Sequence, residues 1–179
     1  MKLGRNFSLL LIGQSLANIG DVLYIVSIIH LIYIITESAI AASFVPFTIA
    51  SSMFVSSILT PLLFEKVNLK WLMAGSQIGK TCLLFLLGLL LYVTTATNFY
   101  LMFIVISMIA FLDGCANPIR QTLVPHYVQE EQLLKANGID EAVTQFIQTV
   151  MWFVGSLFLL FLSSQQVVWV VGCLFIIAS

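Results

Sequence analysis

The stretch FSLLLIGQSLANIGDVLYIVSIIHLIYII, residues 7–35, decides the fold. Its only acid is Asp21 and its only histidine is His30; nearly all the rest is apolar. Wound as an α-helix at ~1.5 Å per residue it reaches about 43 Å, more than the ~30 Å hydrocarbon core of a bilayer. It is too long for the apolar region of a signal peptide, and no small-residue cleavage pattern follows it, so it reads as a retained membrane helix. Strands of a membrane barrel run only ~10 residues, and an open sheet edge cannot sit in lipid, so the helix is the one reading left.

Working outward, five more apolar runs follow, at residues 39–64, 71–93, 99–119, 137–162 and 167–179. Pro46 is expected to kink the second. The sixth run reaches only about 20 Å and reads as a truncated helix. The expectation is an all-α membrane protein, a single six-helix transmembrane bundle over residues 1–179. Composition agrees: 60% of the residues are hydrophobic and 8% charged, and the mean hydropathy is +1.08. A soluble domain carries about 25% charged residues. That excludes an ordinary soluble enzyme and a disordered tail. A net charge of −1 also excludes a nucleic-acid binder, which needs a basic surplus. Cys82, Cys115 and Cys173 all sit in apolar runs, and an odd count there is no disulfide framework.

The connections carry orientation. Thr36-Glu37-Ser38, residues 94–98 and residues 163–166 lie on one side and hold no basic residue. Lys2, Arg5, Lys66, Lys70, Arg120 and Lys135 lie on the other, six of the seven lysines and arginines. The excess of Lys and Arg marks the cytoplasmic side, so the N-terminus is expected in the cytoplasm. Three helices followed by three, each triplet led by a helix with an intramembrane Asp, run in opposite directions across the membrane. That is the layout of an inverted repeat.

Three ionisable residues fall deep inside the runs: Asp21, Lys80 and Asp113. Each costs at least ~2.5 kcal/mol at a helix centre and needs a partner or a wet cavity. Asp21 shares a helix face with Gln14, Asn18 and Tyr24, a stripe suited to a polar pathway or to bonding a neighbouring helix. Lys80 and Asp113 lie at similar depth on sequence-adjacent helices and are expected to form an intramembrane ion pair. The alternative is that Lys80 snorkels to the interface while Asp113, on one face with Asn117 and Arg120, pairs with Arg120 or faces a cavity. Glu141, Gln145, Gln148 and Trp152 form a stripe that suits a cavity wall or interhelical hydrogen bonds. Gly75-x-x-x-Gly79 is expected to be a small-residue packing face.

No enzyme signature is present. There is no phosphate loop, no nucleophile motif, and no Cys or His spacing for a metal, with His30 and His126 near opposite faces. The expectation is no enzyme, no cofactor and no metal.

The residues resemble the N-terminal half of the major facilitator superfamily, in its drug- and siderophore-exporter branch, which includes macrolide-efflux-like proteins. The match runs through Gly13-Gln14-Ser15, Asn18-Ile19-Gly20-Asp21, Thr36-Glu37-Ser38, Asn117-Pro118-Ile119-Arg120, Leu123-Val124-Pro125 and Ala136-Asn137. Two departures stand out. In the loop after the second run Pro61 replaces the family's Gly, and Glu65-Lys66 stand for Asp-Arg, with Lys70 the remaining base. In the fifth run only Gly155 survives of the Gly-Pro-x-x-Gly-Gly pattern of antiporters. The resemblance implies half of a twelve-helix fold. It implies a secondary transporter exporting an amphipathic, drug- or siderophore-like solute by alternating access in the cell membrane. Asp21, Asn18 and Gln14 would line the solute or proton path, with Asp113, Asn117, Gln145 and Gln148. Glu65, Lys66, Lys70 and Arg120 would form a cytoplasmic gate. The partners implied are lipid, the solute, and the C-terminal half of the same transporter or a second copy. A truncated, non-transporting remnant, or a half-transporter acting as a homodimer, are the alternatives.

Overall fold

The computed structural model describes residues 5–64, 69–95, 98–127 and 133–178. Six α-helices make up this part of the chain: α1 Arg5–Thr36, α2 Ala39–Phe64, α3 Leu69–Val93, α4 Tyr100–Tyr127, α5 Leu133–Phe161 and α6 Ser164–Ala178. Among the described residues four helices are long and apolar enough to cross a membrane, over Leu11–Thr36, Ala39–Pro61, Ala74–Val93 and Leu133–Phe161. The other two carry shorter apolar stretches, Tyr100–Ala116 and Ser164–Ile176.

Several helices outrun the boundaries expected from sequence. The fourth run was expected to end at residue 119, but α4 continues through Pro118 and Pro125 to Tyr127. α5 begins at Leu133 rather than at residue 137, and α6 at Ser164 rather than at 167. The cause is the same each time: hydropathy marks where the lipid ends, whereas a helix keeps its backbone bonds into the polar region beyond. Pro46 and Pro61 likewise lie inside α2.

The helix ends opposite the basic side are locally capped. Glu37 takes a left-handed φ of 50° and its N–H reaches the Tyr33 carbonyl at 2.8 Å, closing α1. Ser38 Oγ then accepts the Ala41 N–H and opens α2. Before α6, Ser163 Oγ accepts the Gln166 N–H while Gln166 Oε1 accepts the Ser163 N–H, a reciprocal capping box.

The packing follows the expected inversion. α2 lies along α4 as α5 lies along α1; α1 packs on α6 as α4 packs on α3; and α3 meets α6 between them. The chain thus folds as two triplets exchanged by a pseudo-twofold. The core runs through the middle, with Tyr24, Ile28, Ile32, Leu84, Leu87, Met102, Ile106, Ile109 and Phe175 almost fully buried.

The α2–α4 seam is closely packed. A Cβ on Gly114 would lie 2.9 Å from both Met53 Cα and Ser56 Cβ. Ser56 Oγ donates to the Phe111 carbonyl at 2.6 Å, and Ser52 Oγ and Ser107 Oγ share a hydrogen bond of 2.7 Å. Small hydroxyl side chains and a glycine let two membrane helices close without help from the hydrophobic effect. The packing face expected at Gly75 is absent: nothing lies within 4 Å of its would-be Cβ, while at Gly79 only the flexible end of Leu112 comes close.

Candidate functional site

Where four helices meet, three ionisable side chains share one point. Lys80 Nζ, from α3, donates to Asp113 Oδ1, from α4, at 2.6 Å. It also lies 2.6 Å from Asp21 Oδ1, from α1. The second contact is an ion contact without hydrogen-bond geometry. From α6 the ring of Phe175 faces the same ammonium, its centroid 4.6 Å from Nζ. Lys80 is 2% exposed, whereas the Asp21 and Asp113 side chains keep 16% and 25%. Two carboxylates around one ammonium leave the triad one negative charge in excess when all three are ionised. Burial of that kind is expensive, and is sustained by close pairing.

The sequence explains the geometry. Asp21 and Asp113 sit on the leading helices of the two triplets, which the inversion brings face to face. Gly20, next to Asp21, makes room for Phe175: a Cβ there would come 2.7 Å from Cε2 of the ring. Sequence depth alone placed Lys80 near Asp113, and the structure brings the two together. It also adds Asp21, which the sequence reading had assigned to a separate stripe. Depth did not reveal it: Asp21 lies sixteen residues into α1 from Arg5, whereas Lys80 lies eleven into α3 from Leu69. Phe175 was missed because nothing in an apolar run marks one phenylalanine as facing a charge.

Toward the basic end a polar track continues along α1. Gln14 Nε2 donates to Asn18 Oδ1 at 3.1 Å, and Asn18 Nδ2 donates to Thr144 Oγ1 of α5 at 3.2 Å. Thr144 was not singled out from sequence. On α5, Glu141 and Gln145 are exposed and joined by a 2.9 Å hydrogen bond, Gln148 is half-buried, and Trp152 is exposed. Asp140, beside Glu141, is the buried acid of this helix. Glu65 and Lys66 lie outside the described residues, and the side chains of Lys70, Asn117 and Arg120 are outside them too.

At the opposite end a groove of about 500 Å³ opens between α1, α2 and α5, lined among others by His30, Tyr33, Ala42, Trp152 and Ser156. His30 Nδ1 and Ser164 Oγ share a hydrogen bond of 3.3 Å that ties α1 to the start of α6. No group of His, Cys, Asp or Glu among the described residues is arranged to hold a metal.

Residues 10–179 match the family model described as Major Facilitator Superfamily. The chain belongs to the Major Facilitator Superfamily. It is 30% identical over 162 residues to an uncharacterized MFS-type transporter, YfmI, of Bacillus subtilis (strain 168), covering 89% of this chain and 40% of that protein. It is 28% identical over 158 residues to a second, YjbB, from the same organism, covering 86% of this chain and 38% of the relative. The chain thus spans about two fifths of the length of the curated relatives it matches. No solved structure matches it. As a half of a major facilitator fold, the bundle is a membrane protein of a transporter family, and the triad lies within its own six helices.

Proposed function

We propose that this bundle is the N-terminal half of a secondary active transporter that exports an amphipathic small molecule, drug- or siderophore-like, from the cell by alternating access. The observation that carries the reading is the triad. A membrane bundle needs no buried charges to fold, and three of them at one point mark a working centre. With two acids to one base, the site takes up one positive charge without disturbing the Lys80–Asp113 hydrogen bond. A proton fits that role, and proton coupling follows.

Asp21 is then the exchangeable group. Its contact with Lys80 is as short as that of Asp113 but lacks hydrogen-bond geometry, and it heads the track of Asn18 and Gln14 toward the basic, cytoplasmic end. Asp113 is the second acid, with Asn117 one turn further along its helix. The outward face of α5 supports a solute wall: a carboxylate and amides are poor company for lipid, so Glu141, Gln145 and Gln148 belong against a cavity or a partner. The C-terminal half of the same transporter, or a second copy of this bundle, covers that face. Glu65, Lys66, Lys70 and Arg120, which fall in or beside the cytoplasmic connections of the sequence, are proposed as the gate. The N-terminus lies in the cytoplasm of a cell whose plasma or inner membrane holds the protein.

Cells expressing the full-length protein test this directly. They should accumulate less ethidium, an amphipathic aromatic dye, than cells without it, and a protonophore should abolish the difference. Equal accumulation across a panel of such dyes would set aside the exporter reading. Export that survives the protonophore would set aside the coupling.

A further inference from the structure

We propose that Phe175 is a positioning residue: its ring holds the Lys80 ammonium between Asp21 and Asp113, and Gly20 is the notch that seats the ring. Three observations converge on it. The ring centroid lies 4.6 Å from Nζ, within the ~6 Å over which an aromatic face attracts a cation. Phe175 is 1% exposed and Lys80 2%, so the attraction acts out of water, where it is strongest. And the ring reaches that place only because residue 20 has no side chain, its Cε2 being 2.7 Å from where a Cβ would stand.

The pseudo-twofold gives the arrangement a reason. Lys80 lies eleven residues into α3 from Leu69, and Phe175 eleven residues into α6 from Ser164. α3 and α6 are the matching third helices of the two triplets, so the two side chains occupy equivalent positions and meet at the centre. One triplet supplies a cation there and the other an aromatic face. A second cation would have balanced both acids. The ring keeps the excess negative charge while fixing where the single ammonium sits. Without the ring, the flexible four-carbon stem of Lys80 is fixed only by its contacts to the two carboxylates.

This rests on the triad being the working centre of the transporter, so the test reads the contact and the working role separately. In the full-length protein, Phe175→Leu keeps an apolar side chain and removes the ring, while Phe175→Tyr keeps the ring. Ethidium efflux should fall by between about twofold and thirtyfold in Phe175→Leu, the range that losing a ~0.5–2 kcal/mol cation–ring attraction covers, while Phe175→Tyr stays within about twofold of wild type. Equal efflux in Phe175→Leu and wild type, or equal impairment in both variants, would overturn the positioning role.

The contact is read from thermal unfolding of the purified full-length protein, which needs no transport. Phe175→Leu should lower the unfolding midpoint roughly twice as much with Lys80 present as in a Lys80→Met background, because packing is lost in both and the cation in only one. Equal shifts in both backgrounds would make the ring mere packing and overturn the inference. Should Lys80→Met fail to fold, Phe175→Tyr decides instead: a midpoint as low as that of Phe175→Leu overturns the contact, and one near wild type sustains it. Loss of efflux in wild type alone would strike the working role and leave the contact standing.

Discussion

At the scale of single residues, charge counting makes an asymmetric forecast. Removing either acid by Asp21→Asn or Asp113→Asn leaves Lys80 with one carboxylate, a balanced buried pair. Removing the base by Lys80→Met leaves two carboxylates together with no counter-charge. Breaking a buried pair so that a charge is stranded costs about 3–5 kcal/mol. Lys80→Met should therefore destabilise the purified protein more than either acid variant, measured as the denaturing-detergent concentration at which helicity is lost. An acid variant less stable than Lys80→Met would contradict the shared-ammonium geometry. A milder contrast belongs to the α1–α5 contact. Asn18→Ala removes the bond to Thr144 and leaves a partly buried hydroxyl, so it should cost about 1–3 kcal/mol, checked in the same assay.

Between elements, the glycines separate packing from pattern. Gly114 lets α4 approach the backbone of α2, which cannot give way, so Gly114→Ala should destabilise by about 1–3 kcal/mol and disturb Asp113, its neighbour. Gly75 faces open space, so Gly75→Ala should be neutral or stabilising by up to about 1 kcal/mol through helix propensity. Thermal midpoints of the two variants check both, and the reverse order would contradict the seam. These two positions also show what was legible in the sequence. The small-residue spacing at Gly75 and Gly79 is visible but carries no packing at Gly75. The functional glycine, Gly114, has no partner glycine one turn away and is set by the hydroxyls of α2 instead. The apolar runs were legible because lipid imposes a length and a composition on every helix that enters it. The ends of α4 and α5 were not, because past the membrane surface the sequence no longer has to be apolar and the helix continues regardless. The Lys80–Asp113 contact was legible from depth on adjacent helices. The arrival of Asp21 and Phe175 was not, since it depends on how the triplets face each other, which no single run encodes.

For the whole molecule, the outward face of α5 stands apart from the packed centre. α5 buries only Ala136, Asp140 and Gly155 among its described residues and turns Glu141, Gln145 and Trp152 outward. In the alternating-access account that face meets solute and the other half of the transporter, so Gln145→Ala and Trp152→Ala should change stability by less than about 0.5 kcal/mol, as for surface substitutions, while altering which dyes are exported. In the same account the triad, which sits inside one half, serves every solute alike. The measurement that bears most directly on this is ethidium efflux by the full-length protein carrying Asp21→Asn, with its membrane level measured alongside. The account expects normal insertion and abolished export, because the exchangeable acid is gone while Lys80 and Asp113 still pair. Export at the wild-type rate with normal insertion would remove Asp21, and with it the triad, from the mechanism.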